Sequence, residues 1–117
     1  MILQEVNDIL LTIDPKVIYG KVTESDVPKG QLWNYIVFNR TKKSCPTNKT
    51  GYGDHFSVHL VRENFIPEGL DEVLIEKVTG IAGVRLVGEG QFNYVEKPNT
   101  GTVVEMFSVD FVKAKKV

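Results

Sequence analysis

His55, Ser57 and His59 fall at alternate positions in the run Asp54-His55-Phe56-Ser57-Val58-His59-Leu60. Imidazoles, a hydroxyl and a carboxylate held close together are the ingredients of a metal site or of acid–base chemistry. The same run places Phe56, Val58 and Leu60 at every second position, the period of a strand with one apolar and one wet face. On a strand the two histidines share a face but stand about 13 Å apart along it. That is too far for both to reach one zinc ion at roughly 2 Å. The expectation is a row of surface or interface histidines. The alternative is a small ligand-binding domain or enzyme using the Asp54/His55/Ser57/His59 face. Cys45, the sole cysteine, lies beside Pro46 with Lys42 and Lys43 near in sequence. No helix N-terminus, positioned base or oxyanion donor accompanies it, so it reads as an incidental thiol rather than a nucleophile. One cysteine also excludes an intrachain disulfide and a cysteine-based zinc centre. The glycine pairs Gly51/Gly53, Gly80/Gly83 and Gly88/Gly90 lack the strand–loop–helix context of a phosphate cradle. No catalytic residue, metal ligand or cofactor is expected, and the chain does not read as an enzyme.

The second cluster with chemical potential is basic. Arg40, Lys42, Lys43 and Lys49, with Tyr52, lie in the polar stretch Asn39–Asp54, which has little to bury. It reads as a long flexible loop, and loops of that length are usually functional or disordered. Such an arm could meet a neighbouring subunit, an acidic surface or phosphates, and weak contacts multiply when copies repeat. The formal net charge of -1 excludes nucleic-acid binding by bulk charge and leaves only a local patch. A monomeric nucleic-acid-binding module using this loop and the basic tail Lys113–Lys116 is a further alternative.

The elements that must position these residues follow from hydrophobic periodicity. Ile2, Leu3, Val6, Ile9, Leu10 and Ile13 recur at helical spacing, and Asp14-Pro15 ends that helix. Lys16–Val22 reads as a short strand, Glu24–Gly30 as a loop, and Leu32–Phe38 as a strand rich in aromatic and β-branched types. Trp33 and Tyr35 share one face of that strand and suit core or subunit interface better than base stacking. A second helix carries Leu70, Val73, Leu74 and Val78, with Pro67 placed to open it and Gly80 to stop it. Val84–Val95 and Thr102–Val112 read as the arms of a long hairpin, turning at Lys97–Gly101 and interrupted at Gly88 and Gly90 by a bulge. Glu105 falls on the apolar face of its arm, which places it beyond the core where the hairpin projects. The 117 residues form a single domain with ordinary apolar content. The fold class is α+β: a mixed, mostly antiparallel sheet of about five strands, two helices packed on one face and a long C-terminal β-hairpin. The N-terminal residues lack a secretory signal pattern and no apolar run is long enough to span a bilayer, so a soluble protein made in the cytoplasm is expected, with no membrane partner.

The element order, the run Val17-Ile18-Tyr19-Gly20 after the first helix, the strand Leu32-Trp33-Asn34-Tyr35-Ile36-Val37-Phe38, the pair Phe56-Ser57-Val58-His59-Leu60 and Leu70–Val78 helix, and the closing Phe107-Ser108-Val109-Asp110-Phe111 together resemble the tail-terminator, or tail-completion, proteins of long-tailed bacteriophages. The resemblance spans nearly the whole chain and carries no catalytic motif. It implies a structural virion protein of the tail and neck, made in the host cytoplasm. Such subunits form a homo-oligomeric ring, of about six copies, on the head-proximal end of the tail tube. The implied partners are the tail tube protein and a head-completion or neck protein. DNA would pass through the lumen without sequence-specific binding. The Asn39–Asp54 loop, with Arg40, Lys42, Lys43, Lys49 and Tyr52, and the hairpin between Val87 and Glu105, with Glu89, Gln91, Asn99 and Glu105, are the expected contacts.

Overall fold

The computed structural model describes residues 2–23, 32–45 and 51–116. Helix α1, Ile2–Leu11, buries Val6 and Leu10 completely on its inner stripe. It stops where the residue before Pro15 is barred from helical geometry. There the Asp14 carboxylate takes over, with Oδ1 accepting the Lys16 N–H at 2.8 Å. Strand β1, Val17–Tyr19, follows and pairs parallel with β2, Tyr35–Ser44. β2 pairs antiparallel with β3, Gly51–Glu63. Helix α2, Leu70–Thr79, leads to β4, Val84–Glu96, and β5, Val103–Lys116. The five-stranded sheet runs β1-β2-β3-β5-β4, with every pairing beyond β1–β2 antiparallel. This is the expected α+β fold with its mixed sheet, and the element order matches the sequence reading.

Both helices pack on one side of the sheet. There Ile36 and Phe38, Phe56, Val58 and Leu60, and Phe107, Val109 and Phe111 meet Val6, Leu10, Leu74 and Val78. The period-two apolar positions of three neighbouring strands thus supply the sheet side of one core. The other side of the sheet carries a smaller cluster of Tyr35, Val37, Val61 and Val104, against which Ile18, Trp33 and Met106 pack. Tyr35 is therefore a core residue of this second cluster, and Trp33, partly buried, packs against it. A buried ion pair ties the layers, Arg62 Nη2 to Asp14 Oδ2 at 2.6 Å.

Several sequence expectations need correction. The stretch Asn39–Asp54 is not one long loop: β2 continues to Ser44 and β3 begins at Gly51, paired as far as Ser44 opposite Gly53. The basic tail Lys113–Lys116 likewise belongs to β5, with Lys115 opposite Tyr52 and Lys116 opposite Gly51. The sequences of these arms carry no apolar alternation, so hydrophobic periodicity is silent while ladder hydrogen bonds still form. The first strand of the central pair starts at Tyr35 rather than Leu32. Ahead of it the Trp33 N–H donates to Glu63 Oε1 at 3.1 Å, and Asn34 Oδ1 accepts the Glu63 N–H at 3.1 Å. Side chains there take the place of ladder partners. Helix α2 starts at Leu70, whose N–H donates to Pro67 O at 3.0 Å, so Pro67 lies in the turn before it. The expected Glu24–Gly30 loop lies outside the described residues.

The bulge is where the glycines suggested. Pairing jumps from Val87 opposite Asp110 to Gln91 opposite Ser108, leaving Gly88, Glu89 and Gly90 against Val109 alone. The excess is two residues, which preserves the alternation of faces, so Leu86 and Phe92 still point to the helix side. Gly88 has φ +66°, and a Cβ on Gly90 would overlap the Phe107 ring. That ring instead packs on Phe92, with centroids 4.8 Å apart.

Candidate functional site

The histidines occupy the side of the sheet that carries no helix, each beside a hydroxyl. His59 Nδ1 lies 2.7 Å from Ser108 Oγ across the β3–β5 ladder. Ser57, buried, donates its hydroxyl hydrogen to Asp110 Oδ1. His55 Nε2 lies 3.2 Å from Ser44 Oγ toward the β2 side. Burial pushes the His59 imidazole below its ordinary value, and the Asp110 charge partly offsets that shift. Asp54 projects to the opposite side of the sheet and pairs with Lys43 at 3.2 Å. The expected Asp54/His55/Ser57/His59 constellation is thereby divided between two faces. Ser44, Ser108 and Asp110, none of them read from the sequence as site residues, are the actual partners. The β5 run Ser108-Val109-Asp110 has the same alternation as Ser57-Val58-His59, the one signal that could have paired them. The arrangement is a polar ladder of cross-strand pairs. Among the described residues no group of three or more histidine, cysteine, aspartate or glutamate side chains could hold a metal ion. Cys45 is exposed.

The basic residues gather at one end of the sheet. Arg40, Lys42 and Lys43 are exposed on β2. Arg40 Nε donates to the Tyr19 hydroxyl at 2.9 Å, and Lys43 Nζ lies 5.5 Å from the Tyr52 ring centroid. β1 covers β2 only from Ile36 to Phe38, so the outer edge of β2 from Asn39 onward has no strand beside it among the described residues. Lys49 lies outside the described residues.

The opposite end and opposite edge belong to the β4–β5 hairpin. β4 is an edge strand along its whole length, and from Gln91 to Glu96 every residue is exposed. Phe92, Tyr94, Val95 and Val103 are exposed there, and Phe65 stands nearby, 68% exposed beside the Asn64–Val103 backbone hydrogen bond. Glu89, Gln91 and Asn99 are all exposed, on the bulge, the strand and the turn. Glu105 is different. One of its oxygens accepts the Ile66 N–H at 2.6 Å and the other the Tyr94 hydroxyl at 2.6 Å. It adjoins the core and fastens the β3–α2 connection to the hairpin, and its hydrogen bond holds the Tyr94 phenol above its ordinary range. A second fastening sits at the turn, where Lys97 Nζ reaches Glu63 Oε1 at 2.6 Å and lies 5.8 Å from the Trp33 ring centroid. The hydrogen bond from Lys97 holds the Glu63 carboxyl below its ordinary value.

The two hairpins point to opposite ends of the sheet. The ends of β2 and β3 at Ser44 and Gly51 lie beside the C-terminal end of β5, whereas the turn of β4–β5 lies beyond Glu63 and Val104. The result is an elongated body, 52 × 28 × 24 Å. What these surfaces offer is contact area and open strand edges. No helix among the described residues is long and apolar enough to cross a membrane. No family model matches the chain, and no curated protein does. Among solved structures, a chain from the virion of a native gene transfer agent particle is similar to this one at 12% identity and a TM-score of 0.46, over 97% of this chain and 91% of that chain.

Proposed function

We propose that this protein is a structural virion subunit of a long-tailed phage or phage-like particle. Copies of it form a ring, of about six subunits, on the head-proximal end of the tail tube. The ring stops tube polymerisation and presents the surface to which a head-completion or neck protein docks, and DNA passes through its lumen without sequence-specific binding. In this role the protein is not an enzyme. The observation that carries the reading is the pair of open strand edges on one continuous sheet, with two hairpins reaching to its opposite ends. A sheet with open edges is stable against indiscriminate aggregation only when those edges are charged, covered or used, and a closed ring uses them. The sequence resemblance to tail terminators supplies the ring's place in the particle.

The test is tube assembly. Polymerising tail-tube protein from the same particle, mixed with this protein, is expected to give short tubes with extra density at one end in negative stain. Tubes of unchanged length with bare ends would overturn the reading.

A further inference from the structure

The two open edges are opposite in character. Along β4, the exposed segment Gln91–Glu96 carries Glu96 beside the aromatic pair Phe92 and Tyr94, with Glu89 on the bulge before it and Arg85, the strand's one basic residue, at the far end outside this segment. Along β2, the uncovered segment Asn39–Ser44 carries Arg40 and Lys42, both exposed. Their strand directions are also opposite. β2 and β5 both run antiparallel to β3, and β4 runs antiparallel to β5, so β4 is antiparallel to β2. A second copy set beside the first in the same orientation therefore brings β2 against β4 in the antiparallel sense. The lengths agree as well: the projecting part of β4, Gln91–Glu96, and the uncovered part of β2 are six residues each.

We propose that the outer edge of β4 in one copy pairs antiparallel with the Asn39–Ser44 edge of β2 in the next copy, continuing the sheet from subunit to subunit. This rests on the ring reading above and names the surfaces that close it. The contact is head-to-tail, so each copy uses both edges and the assembly closes or extends without symmetric pairs. Lysine and arginine on the β2 edge repel a second basic edge and accept an acidic one, which selects β4 over another β2. The stagger between the segments tilts the strands relative to the ring axis, as closure of any sheet requires.

Charge reversal tests the contact. Arg40→Glu with Lys42→Glu makes one variant, and Asn93→Lys with Glu96→Lys makes the other. All four side chains are exposed, and circular dichroism and melting temperature serve as checks on folding. Each variant alone places like charges across the contact, and its self-association, read by sedimentation velocity, is expected to weaken by about tenfold or more. Mixed in equal amounts, the variants meet through one wild-type and one doubly reversed contact in alternation, and assembly is expected to return. Variants that associate as wild type does, a mixture that stays dissociated although both partners are folded, or a wild-type protein that remains monomeric overturns the proposed contact. A wild-type ring that forms but leaves tube length unchanged overturns the tail-terminator reading and leaves the contact standing.

Discussion

The β2–β3 and β4–β5 hairpins are built from the same ladder but held by different forces. In the first, the pair Lys43–Asp54 has side chains 55% and 24% exposed, and Tyr52 and the basic residues project into solvent. In the second, Lys97–Glu63 has side chains only 16% and 10% exposed, Glu105 fastens the strand to the β3–α2 connection, and Phe107 packs on both Phe92 and the bulge. Water screens the first pair and strengthens few of its contacts; burial strengthens the second. The far part of the β4–β5 hairpin is fastened to the body by side chains, whereas the outer arms of β2–β3, Asn39–Ser44 and Gly51–Asp54, are held mainly by backbone pairing and charge. A ring subunit can use that asymmetry, with a firm edge presented to a polar edge that discriminates partners by charge.

Substitutions should reproduce this ranking. The largest loss is expected where the β3 end meets α1. Arg62→Met leaves Asp14 buried without its partner and should cost about 3–5 kcal/mol in urea unfolding. Next comes the hairpin clamp. Lys97→Met removes the charged hydrogen bond to Glu63 and should cost about 1.5–3 kcal/mol. Gly90→Ala forces the Phe107 ring to shift and should cost about 1–3 kcal/mol. The smallest effect belongs to the other hairpin, where Lys43→Met should cost under about 1 kcal/mol. A Lys43→Met loss equal to that of Lys97→Met would break the comparison.

Acid should sharpen it further. His59 titrates below its ordinary value of 6.5 because burial disfavours the imidazolium. The unfolded chain then binds more protons than the folded one below about that pH. The His59 contribution is complete above 6.5 and is lost as pH falls beneath it. Glu63, held below its ordinary value of 4.5 by Lys97, loses its contribution only at more acidic pH. Melting temperature should therefore fall in two stages on acidification. His59→Gln should flatten the first stage and Lys97→Met the second.

The sequence disclosed what burial writes into it. Val6 and Leu10, the alternation of Phe56, Val58 and Leu60, and Phe107, Val109 and Phe111 gave the helix, the strands and the core face, because each apolar position is a buried position. Gly88 and Gly90 gave the bulge, because Gly88 holds a left-handed backbone at φ +66° and no side chain fits at Gly90 against Phe107. The strand ends Asn39–Ser44 and Lys113–Lys116 were illegible, since ladder pairing there satisfies the backbone of polar residues that show no apolar alternation. The partners Ser108 and Asp110 of the histidine row were also hidden. Cross-strand neighbours distant in sequence are fixed by register, and register is not visible in local pattern. Glu105 showed as an exception on an apolar face, but its two acceptors' roles needed the β3–α2 connection to be placed.

The most direct test of the account is the solution mass of the wild-type protein by light scattering over a range of concentrations, with negative-stain imaging of the same samples. A rise from the 13.1 kDa subunit to roughly six times that mass, with rings in the images, is the predicted result. A mass that stays at one subunit throughout, with no ring in solution or at the ends of tail tubes, would contradict it.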